Sequence, residues 1–293
     1  MSGAVIPIRS MSSSLTILQQ TNFDGFPKAA ELIEIEGAHA LEASDRALYN
    51  FLLQMAHDSG RLTDPLAEWE VSLASLRRSI SKHESNDRVR ESLDRLMGTR
   101  VRVSHVSNKT GKRKTLKTHL LEFTDTDDRD SPSATVEFGI PKRLRQILVR
   151  SSRWGRIRCD IPYSMSSKYA VALYEMVCLR TNLHRGSETI PIVRFRELLG
   201  VPPDGYERGD NFMRFVLRPA LLEVNGLSDM TVEATLKRRH SRAPIEAVDI
   251  AWWKKSGDAF RAAMEERNRS KVGRMARLKA QARKPLTSLP TPL

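Results

Sequence analysis

Asn211, Arg214 and Arg218 recur at i, i+3 and i+7. On a helix, at about 100° per residue, they fall within about 60° of one another. These side-chain types read base edges. An arginine fork spans O6 and N7 of guanine, and an asparagine amide pairs with N6 and N7 of adenine. Beyond the next β-prone run comes the turn Lys237-Arg238-Arg239-His240-Ser241-Arg242, whose cations are suited to a phosphate backbone. A third group, Lys109, Lys112, Arg113, Lys114 and Lys117, has no acidic residue between its ends. It suits a grip on phosphates that fixes position without carrying sequence information. For each group the plain alternative is a solvated charged surface. Three base-reading types on one narrow strip beside a basic turn argue against it for the first two groups; the third stays even.

The other chemistries are poorly supplied. Cys159 and Cys178 are the only cysteines, too few for a disulfide framework or a four-cysteine metal site. Cys178 shares an apolar stripe with Ala170, Leu173, Tyr174 and Val177, as a packed core thiol would. The seven histidines show no i,i+4 or H-x-H pairing, so no metal site and no cofactor are expected. A nicking enzyme needs a nucleophilic tyrosine beside metal-binding histidines. Tyr174 lies on the apolar stripe, and Tyr49 and Tyr206 have no such neighbours. The run Lys109-Thr110-Gly111-Lys112-Arg113 lacks the leading glycine and the hydroxyl residue after lysine of a phosphate-binding loop. The expectation is a protein that is not an enzyme.

These cations need a frame, and the hydrophobic spacing provides one. Residues 166–182 predict a helix, 188–192 a short strand and 193–199 a short helix. The Gly/Pro turn at 200–205 leads to a helix over about 210–225, with Phe212, Phe215, Val216 and Pro219 inward. Pro219 lacks the donor for the Phe215 carbonyl, so a kink or restart is expected there. Two strands, about 230–236 and 245–252, flank the basic turn. Helix, strand, helix–turn–helix and basic hairpin, in that order, make a winged helix.

The first half repeats that order. A helix follows a Ser44-Asp45 cap, with Leu48, Phe51, Leu52 and Met55 on one side. A short helix at 73–80 buries Leu73, Leu76 and Ile80. The helix at 86–97 buries Val89, Leu93, Leu96 and Met97, with Gly98 placed as its terminating glycine. Residues 100–106 and 115–123 predict a hairpin around residues 108–111, with the third basic group at its tip as a wing. The 86–97 helix alternates Arg88, Arg90, Glu91, Asp94 and Arg95, a nearly neutral face that suits ion pairing or a protein interface better than phosphate. Residues 125–133 predict an acidic surface loop, 134–138 a strand and 141–150 a helix. The Arg-rich 151–158 is either an interdomain connection near DNA or a solvated linker.

The expected class is α+β: two tandem winged-helix domains with a basic, helical C-terminal tail. The divisions are a flexible arm (1–27), a first domain (28–158), a second (159–255) and the tail (256–293). The chain has 293 residues and a formal charge of +13, of which residues 254–284 carry +8. Such an excess favours a polyanionic partner. No apolar run approaches the ~18 residues of a membrane span, and no secretory leader pattern opens the chain, so a cytoplasmic protein without a membrane partner is expected. For the tail, a DNA clamp, a partner-binding helix and a disordered extension all remain open.

The chain also resembles the initiator replication proteins of iteron-containing plasmids, the RepE, RepA and pi type. The resembling residues are Met165-Ser166-Ser167-Lys168-Tyr169-Ala170, Ala172-Leu173-Tyr174-Glu175 and Phe195-Arg196-Glu197-Leu198-Leu199-Gly200-Val201. They continue with Phe212-Met213-Arg214-Phe215-Val216-Leu217-Arg218-Pro219-Ala220, Glu223-Val224-Asn225, Arg238-Arg239 and Ile245. The resemblance implies a second domain that reads repeated origin sites, the iterons, and a first that dimerises and adds DNA contact. It places Arg214 and Arg218 on the recognition helix and Lys237, Arg238 and Arg239 on its wing. It further implies a monomer that opens the origin with a host replicative helicase and initiator ATPase, and a dimer that represses its own promoter at an inverted repeat. The tail is longer than the resemblance requires. A dimeric winged-helix repressor without a replication role fits the same residues.

Overall fold

The computed structural model describes residues 15–80, 85–107, 109–127, 131, 133–240 and 243–282. A 3-10 turn, Thr16–Leu18, precedes β1 (Phe26–Ala29) and the one-turn helix α1 (Ala30–Ile33). Then follow α2 (Ala43–Asp58), β2 (Trp69–Ser72), α3 (Leu73–Ile80) and α4 (Asn86–Gly98). The half is completed by β3 (Val101–Val106), β4 (Arg113–Thr118), β5 (Phe123–Thr126), β6 (Thr135–Gly139), α5 (Lys142–Arg150) and β7 (Trp154–Ile157). α2 opens on a reciprocal box, in which Asp45, inside the first turn, accepts the Glu42 amide at 2.8 Å. Its cap is therefore Glu42 rather than Ser44-Asp45. Gly98 is the last helical residue of α4, and Thr99 caps it in an extended conformation.

The second half contains α6 (Lys168–Asn182), β8 (Ser187–Pro191), α7 (Ile192–Leu199) and α8 (Gly209–Phe212). A π turn, Met213–Leu217, joins α8 to α9 (Arg218–Leu227), and β9 (Met230–Lys237) and β10 (Ala247–Lys254) follow. Two last helices are α10 (Gly257–Asn268) and α11 (Arg274–Ala282). The halves share one topology: sheet order is β2-β6-β5 in the first and β8-β10-β9 in the second, all antiparallel. In each half a helix precedes the first strand of that sheet, and a short helix and then a longer helical segment lie between that strand and the hairpin. This is the tandem winged helix that the hydrophobic spacing predicts.

β3 and β4 pair from Val101↔Thr118 to Val106↔Arg113, but they form a sheet of their own. The wing hairpin of the first half is β5–β6. The expected single strand over 115–123 is interrupted: β4 ends at Thr118 on β3, and the chain restarts at Phe123 as β5 on β6, with Leu120 and Leu121 buried between them. The basic hairpin is thus an insertion between α4 and the wing, and the true wing leads into the acidic 125–133 segment.

Residues 15–27, expected within a mobile arm, are anchored to the first half at two points. Thr16 and Phe26 are buried, and β1 pairs with β7 from Phe26↔Ile157 to Ala29↔Trp154. Within residues 151–158, Trp154–Ile157 therefore form a strand packed in the fold rather than a solvated linker. β7 lies so close to α6 that a Cβ on Gly155 would come 2.7 Å from the Leu179 nitrogen; only glycine permits the approach.

The basic tail, through residue 282, is a docked part of the second half. α10 and α11 pack on α9, where Leu278 is buried against Gly226. Glu266 is buried and accepts Arg277 Nε and Nη2 at 2.9 and 2.6 Å. Arg274 donates to the carbonyls of Ser164, Glu266, Arg267 and Arg269 at 2.9–3.2 Å. The apolar spacing that looked too thin for a core is supplemented by the apolar back of α9. No described helix is long and apolar enough to cross a membrane.

Candidate nucleic-acid interface

The segment 209–227 carries the reading candidates. Phe212, Val216, Leu217, Ala220, Val224 and Leu227 are buried, each large one contributing about 1.5–3 kcal/mol. Glu223, also buried, accepts the Ser167 amide at 3.0 Å and the Ser166 amide at 3.1 Å, and so fastens α9 to the N-terminus of α6. Asn225 exchanges two hydrogen bonds with the Val232 backbone at 2.7 and 2.9 Å, fixing α9 to β9. The segment is held at its back and at its end. Asn211, Arg214 and Arg218 are all exposed on the other side.

Pro219 acts one turn earlier than a simple kink would. The Arg218 amide donates to the Met213 carbonyl, five residues back, so the chain widens into a π turn just before the residue without a donor. Phe215 lies outside the arc that the buried Phe212, Val216, Leu217, Ala220 and Val224 define on this segment. It is 48% exposed, the correction to its expected place in the core, and Pro219 is half-buried. Phe215 now shares the outer strip with the three polar candidates. The Arg214 guanidinium lies 5.1 Å from its ring centroid.

The helix–turn–helix bend is firmly built. Gly200 ends α7 with φ +71°, the left-handed conformation glycine tolerates. Arg196 donates to the Tyr206 carbonyl at 2.9 Å and to the Gly205 carbonyl. Tyr206 has φ +56° and packs on Phe215, with ring centroids 6.0 Å apart. Composition gave no sign of either Phe215 or Tyr206; the one sequence signal was Pro219, four residues after Phe215.

On the wing, Lys237 pairs with Asp249 at 3.1 Å and Arg239 with Glu246 at 2.6 Å, both well exposed. Such pairs exchange readily with phosphate, since an exposed ion pair contributes only about 0–1 kcal/mol. Arg238 is half-buried and donates to the Ala243 carbonyl at 2.6 Å. It also abuts Gly209 at the start of the reading segment, which makes it a strut between wing and helix. Arg242 lies outside the described residues.

Lys109, Lys112, Arg113 and Lys114 are exposed on the inserted hairpin. Lys109, Arg113 and Lys114 line an open cleft of about 1090 Å³ together with Arg143 and Arg150 of α5 and Arg194 of α7. The outer face of α4 is occupied by ion pairs: Arg88 with Glu42 at 3.0 Å, and Arg95 with buried Asp45 at 2.8 Å. Arg145 of α5 is buried and donates to the carbonyls of Asp64, Pro65 and Ala67 at 2.6–3.3 Å. Cys178 is buried; Cys159 is half-buried, and burial pushes its thiol up to about 12. Among the described residues no group of His, Cys, Asp and Glu is arranged to hold a metal ion.

Comparison with known proteins gives concordant findings. One solved structure with the same fold is described as the Pi initiator protein in complex with iteron DNA. It matches at TM-score 0.57 and 14% identity, covering 78% of this chain and 97% of that one. A second, described as domains 2 and 3 of RctB, matches at TM-score 0.43 and 13% identity, covering 73% and 83%. A search of curated proteins found no match. The family model "Initiator Replication protein, WH1" matches residues 27–178, running past residue 158 to take in most of α6, and "Initiator Rep protein, WH2" matches residues 191–252. With both winged helices matched in order over most of its length, this chain belongs to the initiator replication protein family.

Proposed function

We propose that this chain initiates plasmid replication by binding direct repeats at an origin, the iterons, as a monomer. The observation that carries the reading is the outer strip of the second domain. Asn211, Arg214 and Arg218 stand exposed together on a helix whose back and end are fastened to the domain, beside an exposed basic wing. A rigid helix with forked donors on one strip suits the major groove. Lys237 and Arg239 would hold the flanking backbone, and the inserted hairpin with Lys109, Lys112, Arg113 and Lys114 would grip phosphates elsewhere on the site. The Pi protein, similar in fold, is described in complex with iteron DNA.

Several monomers bound side by side would bend the origin and favour melting of a neighbouring A·T-rich segment. The host replicative helicase and initiator ATPase would then be recruited by protein contact. Dimerisation through the first domain would convert the same chain into a repressor of its own promoter. The self-paired, nearly neutral face of α4 supports a protein contact there better than a DNA contact.

The test is a footprint of the purified protein on DNA flanking its gene, repeated across salt concentrations. Several evenly spaced protected direct repeats, with affinity falling steeply with salt, are expected. A single protected inverted repeat over the promoter would leave a dimeric repressor and remove the replication role.

A further inference from the structure

The geometry points to Phe215 as a specificity residue that contacts the 5-methyl group of a thymine in the bound site. This rests on the proposal that the 209–227 segment enters the major groove. Phe215 is an exposed aromatic ring in the middle of a strip otherwise made of Asn211, Arg214 and Arg218. Single exposed apolar residues are common and need no explanation. This one differs because the fold places it there on purpose-built support. Phe215 sits in the π turn at Met213–Leu217, next to buried Val216 but on the side of the segment away from its buried arc.

Its surroundings then fix the ring. Tyr206 packs against one side, held in a left-handed backbone conformation that non-glycine residues seldom adopt. The Tyr206 carbonyl is tied down by Arg196, and its ring meets Tyr169 edge-on at 6.4 Å. The Arg214 guanidinium also lies over the Phe215 ring, 5.1 Å from its centroid. A strained residue supporting an exposed ring is a cost that folding alone does not require. The major groove offers one apolar feature to such a ring, the thymine methyl. Because Arg214 touches Phe215, the thymine would neighbour the base pair that Arg214 reads. The ring would also orient the guanidinium, coupling the two positions.

The experiment uses the full chain and the duplex it selects from a random-sequence library. Each thymine of that duplex is replaced in turn by uracil, which keeps the pairing edge and lacks only the methyl. Wild type should lose roughly fourfold affinity at one or two adjacent thymines, the value of one buried methyl. Phe215→Ala should bind the thymine and uracil duplexes alike. Uracil tolerated everywhere by wild type would overturn the assignment without any variant being needed, and so would an equal loss in Phe215→Ala. Arg214→Ala and Arg218→Ala separate the two levels of the argument. If those variants keep full selectivity, the groove-reading proposal falls; if they lose it while the uracil scan is flat, only the role of Phe215 falls.

Discussion

Lys28 Nζ lies 2.9 Å from Glu175 Oε2, with both side chains almost wholly enclosed. The pair joins β1 of the first half to α6, and Asn50 of α2 completes it by accepting from Lys28 at 2.8 Å and donating to Glu175 at 2.6 Å. Burial lowers the Lys28 ammonium's proton affinity, and Glu175 offsets part of that. Removing one charge strands the other. Glu175→Gln should therefore cost about 3–5 kcal/mol in urea unfolding. The triple change Lys28→Met, Asn50→Leu and Glu175→Met should recover most of it, since an apolar cluster of similar volume has no desolvation cost. A triple variant as unstable as the single one would show that packing rather than charge is lost.

Reading and gripping should separate by mutation. Arg214→Ala or Arg218→Ala should each cost about 1–3 kcal/mol at one base position and relax selectivity there. Lys112→Ala should weaken all sequences alike and lower the salt slope by about one. Binding to the selected duplex and to random DNA, each at several salt concentrations, distinguishes the two patterns. Equal losses on both DNAs for all three variants would remove the distinction.

Lys255 sets a pH dependence. Its ammonium donates to the carbonyls of Asn225 and Ser228, at the end of α9, and burial pushes it down to about 8 against the partial offset of Asp229. Between about pH 8 and the ordinary lysine range near 10.5, the folded chain binds fewer protons at this site than the unfolded chain. Its contribution to stability must then rise with pH across that window. Urea midpoints of wild type minus Lys255→Met, taken at pH 7, 8.5 and 10, should increase. A flat or falling difference would contradict the assignment.

Pro219→Ala restores a backbone donor after the π turn. Loss of proline from a compatible site costs under about 1 kcal/mol, so thermal stability should change little. Sequence preference should change more, because a relaxed α-helical path would rotate Phe215 and Arg214 relative to Arg218. Selection from a random library by both proteins makes the comparison; identical preferred sites would show that the π turn does not set the strip.

The second winged helix was legible because its helices and strands carry clean periodic signals and its turns carry Gly200 and Pro219. The first was readable in element order but not in its hairpins. Lys109–Lys117 announced a basic turn, while only the change of partner, from β3 up to Thr118 to β6 from Phe123, shows that the chain leaves that hairpin before building the wing. Phe215 was misplaced because the arc was set by Phe212, Phe215, Val216 and Pro219 alone, whereas the buried Leu217, Ala220, Val224 and Leu227 shift its centre to the far side of the segment. Charge counting does not single out Arg145 or Arg274 as buried, because their carbonyl partners are distant in sequence or belong to a turn.

The docking of α10 and α11 behind α9 has a practical consequence for mapping this chain by deletion. A version ending near Trp252 retains every residue matched by the second family model, yet it would uncover Gly226 and leave Ser164 and α9 without their covering layer. Loss of binding after such a cut would report a loosened reading helix rather than a lost contact. Charge-reversing substitutions at exposed positions, which leave Leu278 and Glu266 in place, are the informative way to ask whether the C-terminal segment meets DNA.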